Sequence, residues 1–291
     1  MNKVVVTAIV VIVLVAAASL IVVNRGGGGG GTAVVAVTFP GVADDVRLLL
    51  EGCDSVRVET IAPPGVDPHE YNLEPSKVEL VRKAVLVVST GHAPFEARIR
   101  EIAGDKTVVI PEIPGIMLEK TPSGAVNRHM PIYDPRNYRV FIEYLAGRLG
   151  ERLPACRETI EANAARLEER AMRLYSMYHG ILSGRPAVIS GPVAQYAVGW
   201  LGVDVRLSLL VEHGSQTTPQ QLEEARRILE QGGIAVIVYY GDRPASKAGE
   251  WLAQTAGEMG APVLRVPAPY QPGAIIEKIE YVASQAASLQ G

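Results

Sequence analysis

Residues 33–62 read AVVAVTFPGVADDVRLLLEGCDSVRVETIA and contain a complete strand–helix–strand unit. Both ends of this stretch, residues 33–39 and 56–62, are rich in β-branched and other apolar residues, which is typical of strands. Between them, residues 42–50 have helical periodicity. Because strands that are joined through a helix lie parallel in one sheet, the stretch predicts the start of a parallel sheet covered by helices.

The same alternation continues on both sides of a helical middle region and predicts two lobes. In the first lobe, residues 32–134, we predict further strands at 84–90 and 107–111 and a helix at 75–82. The pattern restarts in the second lobe, residues 184–291, with strands at 187–190, 203–210, 235–240 and 263–266. Its helices are predicted at 192–201, 219–231 and 244–259. We therefore expect an α/β fold whose two lobes each have a parallel sheet covered by helices.

Residues 135–183 are predicted to link the lobes through helices. Asp134 and Pro135 form a helix start, Pro154 interrupts the helix, and an apolar period of three and four residues resumes at Cys156. This apolar stripe is interpreted either as burial against both lobes or as a coiled-coil dimer seam, and its content of Cys, Ala and Tyr favours burial. We therefore expect one long interlobe helix, a monomer and a ligand cleft that closes only slightly.

The first 31 residues predict attachment to a membrane. Residues 4–23 carry no charge and match the ~20 residues that cross a bilayer as a helix. Residues 1–25 are therefore interpreted as a transmembrane anchor or a signal segment. The apolar run is longer than the ~7–15 residues of a typical cleaved signal, which favours the anchor. Six glycines, residues 26–31, form a flexible linker, so we expect an extracytoplasmic protein that is secreted if the anchor is cleaved.

Charge and cysteine content exclude several classes of protein. The chain has 28 Lys and Arg against 31 Asp and Glu, a formal net charge of −3, without the basic patch that nucleic-acid binding needs. Two cysteines cannot form a disulfide scaffold or a four-cysteine zinc site, although Cys53 and Cys156 could pair in an oxidising compartment.

Two histidines lie in proline-flanked loops next to predicted structural elements. His69 follows the strand that ends near Ala62, in the stretch PPGVDPHEY, residues 63–71. Ligands of open α/β sheets bind at the carboxyl ends of strands, which is where this places His69. His129 lies in NRHMPIYDP, residues 127–135, just before the linking helices. Imidazole is a ligand for Zn²⁺ and Mn²⁺, so the two residues are candidate metal ligands.

This order of parts resembles the solute-binding proteins of metal-ion ABC importers, the zinc and manganese receptors. The resemblance covers nearly all of residues 32–291 and is most specific in residues 63–71. It implies that His69 and His129 are metal ligands, that Glu70 assists them, and that Zn²⁺ or Mn²⁺ is the transported ligand. It also implies a protein without enzymatic activity that delivers the ion to an ABC transporter permease.

The second lobe departs from the family pattern at the positions of its usual ligands. Ser190-Gly191-Pro192 stands where a His or Glu is expected after a strand, and Pro267-Ala268-Pro269 stands where a carboxylate is expected. Asp242 and His213 also follow strands and are the candidate replacements; Asp242 is equally well explained as the N-cap of the helix predicted near Pro244. His92 follows the third strand and could line the cleft as a partner that supports a metal ligand, and His179 is explained by its place at a helix end.

Two alternative functions stay open at this point. The same fold could bind a metal chelate or an organic solute near Tyr239 and Tyr240. A metal-dependent hydrolase is the other alternative, although the common hydrolase, metalloprotease and NTPase motifs are absent from the sequence. The main interpretation is a membrane-anchored receptor that captures a divalent transition metal in its cleft.

Overall fold

The computed structural model describes residues 32–66, 70–210 and 217–290. The predicted anchor at residues 4–23 lies outside this part of the chain. Within the described ranges, no helix has the length and apolar character needed to cross a bilayer.

The first sheet has four parallel strands in the order β2-β1-β3-β4. The strands are β1 (Ala33–Val37), β2 (Val56–Thr60), β3 (Leu86–Ser89) and β4 (Thr107–Val109). The helices that connect them are α1 (Pro40–Leu49), α2 (Pro75–Lys83) and α3 (Pro94–Ala103). Each of these helices has a proline in its first turn, where the fixed φ favours a helix and the missing N–H costs nothing. The predicted α/β fold is confirmed here, and α3 is an addition to the predicted elements.

The second sheet places β5 between β6 and β7, and β9 also pairs with β7. Its strands are β5 (Pro186–Ile189), β6 (Asp204–Ser208), β7 (Ile234–Tyr240), β8 (Arg243–Pro244) and β9 (Val263–Pro267). The helices of this lobe are α6 (Val193–Gly199), α7 (Pro219–Glu230), α8 (Lys247–Met259) and α9 (Ile275–Ser288). All pairings are parallel except that of β8, a two-residue strand that returns antiparallel along the end of β7.

The helix that was predicted to begin near Pro244 begins three residues later. Arg243 and Pro244 pair with the end of β7 instead of starting a helix. Ser246 is the N-cap of α8, because its hydroxyl accepts a hydrogen bond from the Gly249 N–H at 3.1 Å. The interpretation of Asp242 as this N-cap was therefore wrong.

Two helices, α4 (Pro135–Arg152) and α5 (Arg157–Tyr178), link the lobes and pack side by side. The predicted interruption at Pro154 is a short 3-10 turn, Pro154–Cys156. At 1.5 Å per residue the 22 residues of α5 span about 33 Å. Near its start, Asn163 donates hydrogen bonds to the carbonyls of Leu49 and Glu51 in the first lobe. The apolar stripe of α5 is buried within the chain, which is the burial that the sequence favoured over a dimer seam.

A buried carboxylate fastens the first lobe to the second. Asp45 of α1 accepts hydrogen bonds from the Tyr138 hydroxyl at 2.7 Å and from the Ile275 N–H, at the start of α9, at 2.8 Å. The adjacent Asp44 accepts a bond from the Gly273 N–H at 2.7 Å. Burial raises the pKa of Asp45 to about 7, although these hydrogen bonds and Lys278 act in the opposite direction. The N-terminus of α9 is thus capped by a carboxylate that belongs to a helix of the other lobe.

The two cysteines are buried neighbours with free thiols. Burial raises the pKa of Cys53 to about 12, and a hydrogen bond with Cys156 adds to this rise. Cys53 follows α1, and Cys156 lies in the turn between α4 and α5. The two cysteines that could pair in an oxidising compartment are therefore in contact, and both are thiols in this structure.

Candidate metal centre

The carboxyl edge of the first sheet contains a topological switch point between β1 and β3. From β1 the chain continues to β2 on one side, whereas β3 and β4 lie on the other side. The Thr90 N–H donates to the Thr38 hydroxyl at 3.3 Å across the ends of these two strands. Open α/β sheets bind ligands in the crevice at this position, and His92 follows directly after it.

A buried carboxylate holds the turn that carries His92. Glu96, near the start of α3, accepts hydrogen bonds from the backbone N–H groups of Thr90 (2.7 Å), His92 (3.0 Å) and Ala93 (2.9 Å). Gly91 has a φ of +76°, and a Cβ at this residue would lie 2.4 Å from the Val109 side chain. Because only glycine fits this turn, the backbone of His92 is held in one position.

His129 is oriented by Asn127. The backbone N–H and the Nδ1 of His129 lie 3.0 and 3.1 Å from the Asn127 Oδ1. This contact makes Nδ1 the protonated nitrogen, so a metal ion on His129 would bind at Nε2. The next residue, Met130, has a φ of 52°, a conformation that costs about 1–3 kcal/mol in a residue with a side chain.

The segment around His129 is fixed by the start of α4. Asp134 is the N-cap of α4 and accepts a bond from the Arg136 N–H at 2.8 Å. Asn137 donates to the carbonyls of Pro131 at 3.1 Å and Met117 at 2.9 Å. The Asp-Pro-x-Asn stretch of the sequence therefore holds the loop that carries the histidine.

The structure brings His92 and His129 together. Their ring centroids are 4.7 Å apart and the ring planes are tilted by 57°. Both side chains are half-buried. Burial lowers the pKa of His92, while Glu96 acts in the opposite direction. Neutral imidazole is the form that binds a metal, so this environment favours a ligand over a cation.

Asn127 also connects the histidine pair with the second lobe. Its Nδ2 donates to the Pro192 carbonyl at 2.9 Å and to the Gln195 side chain at 3.1 Å. The Tyr196 hydroxyl donates to the Asn127 carbonyl at 2.6 Å. Residues at the start of α6 therefore form hydrogen bonds with the loop that carries His129.

The second lobe uses the positions of its expected ligands for other contacts. The Ser190 hydroxyl accepts a hydrogen bond from the Val238 N–H at 3.0 Å. The Pro267 carbonyl accepts one from the Tyr133 hydroxyl, and the Pro192 carbonyl accepts the bond from Asn127. The Ser190 bond joins two strands of the second lobe, and the two carbonyls contact Asn127 and Tyr133 of the first lobe.

His69 lies outside the described residues, but both flanks of its loop are defined. On one side, a Cβ at Gly65 would lie 3.0 Å from the Tyr240 hydroxyl of the second lobe. On the other, the buried Tyr71 donates to the Ile61 carbonyl at 3.1 Å and packs edge-on against Phe95. Glu70 is exposed next to this anchor.

The remaining candidates are exposed or lie outside the described part. Asp242 is fully exposed, and its ion-pair partner is Arg265 at 3.9 Å. His213 lies in residues 211–216, which the structure does not describe. His179 is exposed at the end of α5 and packs against Tyr175. Among the described residues, no group of three or more His, Cys, Asp and Glu side chains could hold a metal ion.

Sequence reasoning missed the residues that orient the site. Asn127 stands two residues before His129, and such a short polar side chain next to a candidate ligand is a usable signal. Gln195 gave no such signal, because its contact with Asn127 joins residues 68 positions apart.

Several solved structures have the same fold as this chain. The periplasmic zinc-binding protein TroA from Treponema pallidum has a TM-score of 0.71 at 17% identity, over 90% of this chain and 100% of that chain. The solute-binding protein FpvC from Pseudomonas aeruginosa, in complex with Mn²⁺, has a TM-score of 0.70 at 18% identity, over 89% and 97%. A crystal structure of ZnuA has a TM-score of 0.65 at 19% identity, over 89% and 98%. No curated protein matches the sequence.

The family itself is shown by a sequence model. The model of zinc-uptake complex component A, periplasmic (ZnuA), matches residues 35–285, which include both lobes and the linking helices. This match confirms the predicted receptor and favours it over the organic-solute and hydrolase alternatives. The chain therefore belongs to the ZnuA family, the periplasmic metal-binding receptors of ABC uptake systems.

Proposed function

We propose that this receptor captures Zn²⁺ or Mn²⁺ between its lobes, with His69 and His129 as ligands from the first lobe. Glu70 assists at the rim of the site, and Asp242 and His213 are the candidate ligands from the second lobe. The protein binds one ion, releases it to an ABC permease and catalyses no reaction.

The observation that carries this proposal is the fixed orientation of His129. Its Nδ1 lies 3.1 Å from the Asn127 Oδ1, and Asn127 is in turn bonded to Pro192 and Gln195 of the second lobe. Metal-binding histidines typically give their second ring nitrogen to such an oxygen acceptor, which sets the tautomer and the direction of the ring.

The described donors suit a transition metal better than calcium or magnesium. Imidazole nitrogen is a ligand for Zn²⁺ and other first-row divalent ions, whereas Ca²⁺ and Mg²⁺ prefer oxygen. At a mixed site of nitrogen and oxygen donors, the general order of affinities places Zn²⁺ above Mn²⁺. We therefore expect zinc to bind more tightly.

The other segments of the chain serve to deliver the ion to the permease. Residues 4–23 anchor the chain in the membrane, and residues 26–31 form the flexible linker between the anchor and residues 32–134, the first lobe. Residues 135–183 join it to the second lobe, residues 184–291. The receptor acts as a monomer next to its permease.

The test is the metal content of the full-length protein, purified in detergent, after loading with mixed divalent ions and desalting. Elemental mass spectrometry is expected to find about one equivalent of a single metal in the wild type. The His69→Ala, His129→Ala double variant is expected to retain none. His179→Ala, which removes an exposed histidine at a helix end, is the matched control and should bind like the wild type.

A wild type without bound metal would contradict the proposal and point to a chelate or an organic solute. Retention of metal by the double variant would contradict the assignment of these two ligands. Turnover of a substrate by the metal-loaded protein would contradict the receptor role.

A further inference from the structure

We infer that His92 is a direct ligand of the same metal ion as His129. This inference rests on the proposed function and adds a ligand that the first lobe supplies from β3. His92 then replaces part of the coordination that the second lobe does not provide at Gly191 and Pro267.

The first argument is the position of His92 in the sheet. His92 follows β3, and the Thr90 N–H at the end of β3 bonds with Thr38 at the end of β1, so the residue stands at the switch point. Ligands of open α/β sheets bind at this point. His129 reaches the same place from the segment before α4 and contributes the second ring.

The second argument is the distance between the rings. Two imidazoles that bind one Zn²⁺ at about 2.0–2.1 Å hold their ligating nitrogens no more than about 4.2 Å apart. Ring centroids 4.7 Å apart, with planes tilted by 57°, are close enough for one nitrogen of each ring to meet this limit. The two rings are therefore near enough to share one ion.

The third argument is the way in which both rings are held. Glu96 binds the His92 N–H at 3.0 Å, and Asn127 binds the His129 N–H at 3.0 Å. Each backbone is thus fixed by a buried side chain, and Gly91 allows the turn before His92. Such support is what keeps ligands in productive geometry before the ion arrives.

The fourth argument is that the second-lobe groups at the expected ligand positions already accept other hydrogen bonds. Ser190 accepts a bond from Val238, and the carbonyls of Pro192 and Pro267 accept bonds from Asn127 and Tyr133. Two imidazoles from the described first lobe are therefore better placed as ligands than these groups.

The experiment measures Zn²⁺ affinity of the full-length protein in detergent by competition with a chromophoric chelator. We expect His92→Ala to weaken Zn²⁺ binding by at least tenfold while thermal unfolding without metal changes little. His179→Ala should bind within twofold of the wild type. His92→Gln, which keeps a polar side chain of similar length, is measured alongside in case the alanine variant folds poorly.

A second measurement needs no variant. In crystals of the zinc-loaded wild type, a His92 ring nitrogen is expected about 2.0–2.1 Å from the ion. A separation above 3 Å, or a His92→Ala protein that binds Zn²⁺ within twofold of the wild type, would overturn the inference.

The outcomes separate this inference from the proposed function. If the wild type binds zinc, His129→Ala loses it and His92→Ala keeps it, the proposed function stands and His92 is not a ligand. If the wild type binds no metal, the proposed function itself fails.

Discussion

The two lobes have sheets of the same topology but use their carboxyl edges differently. In each sheet the earliest strand lies between the second and the third, which creates a switch point at β1/β3 and at β5/β7. The first switch point carries His92, next to His129. The second carries Ser190, whose hydroxyl bonds with the neighbouring strand. The difference teaches that the same order of strands can place two imidazoles at one carboxyl edge and a hydrogen bond between neighbouring strands at the other.

Three residues hold the two lobes together, and one of them also contacts a candidate ligand. Asn127 receives contacts from both lobes, because its Oδ1 meets His129 and its Nδ2 meets Pro192 and Gln195. Asp45 and Tyr133 connect the lobes through Ile275 and Pro267. Substitutions at these residues test whether binding and positioning can be separated.

The largest effect is expected from Asp45→Ala, which breaks the connection between α1 and α9. The change leaves the buried Tyr138 hydroxyl and the Ile275 N–H without their acceptor. It also removes the negative partner of the buried Lys278, so we expect a loss of about 3–5 kcal/mol in the free energy of unfolding. Urea unfolding of the metal-free protein measures this loss.

Asp54→Ala removes an exposed carboxylate near the same helix and serves as the control. Its effect should stay within about 0.5 kcal/mol. A loss below 1 kcal/mol in Asp45→Ala would show that the lobes are held together by other contacts.

An intermediate effect is expected from Asn127→Ala, which removes the group that orients His129. Outer-shell partners of metal-binding histidines typically account for a 10- to 100-fold difference in affinity, so we expect about a tenfold weaker affinity for Zn²⁺. Chelator competition measures it, and Gln254→Ala, on the exposed side of α8, is the control.

Asn127→Asp separates the two roles of this residue. It keeps an oxygen acceptor for His129 but loses the donor for Pro192 and Gln195. Retention of most of the affinity would assign the effect to ring orientation, whereas a loss equal to that of Asn127→Ala would assign it to the contact with the second lobe. Wild-type affinity in Asn127→Ala would refute the role of Asn127 altogether.

The smallest effect is expected from Tyr133→Phe. The Tyr133 hydroxyl donates to the Pro267 carbonyl at the end of β9, and the loss of one such bond costs about 1 kcal/mol of stability. Because this contact positions the lobes and lies outside the proposed ligand set, Zn²⁺ affinity should change less than twofold. Thermal unfolding measures the change in stability, and chelator competition measures the Zn²⁺ affinity. The control is Tyr281→Phe, at an exposed tyrosine of α9. A tenfold loss of affinity would show that the end of β9 takes part in binding.

The sheets could be predicted from the sequence because each strand is a local apolar run. All eight predicted runs correspond to observed strands, and the end of each lies within three residues of the observed one. The start of α8 was missed because Arg243 and Pro244 pair with β7, a contact that local periodicity does not contain. Pro244 is typical of a helix start, but here it pairs with a strand instead.

The candidate site could be predicted only in part. His129 was recognised from its proline-flanked loop and the family resemblance. His92 was assigned a supporting role, because its contact with His129 joins residues far apart in the sequence. The contact of Asn127 with Gln195 joins residues far apart in the sequence, so no spacing rule points to it.

The connection between α1 and α9 also has a consequence for the order of folding. Asp45 and Ile275 are 230 positions apart, so the first helix of the described chain meets its partner only when the last helix has been made. Contacts of such long range form late, because the chain between them must first be ordered. We therefore expect the first lobe of a growing chain to remain incompletely packed until synthesis is nearly finished. Such a delay would keep the polypeptide in a state that can still be threaded across a membrane.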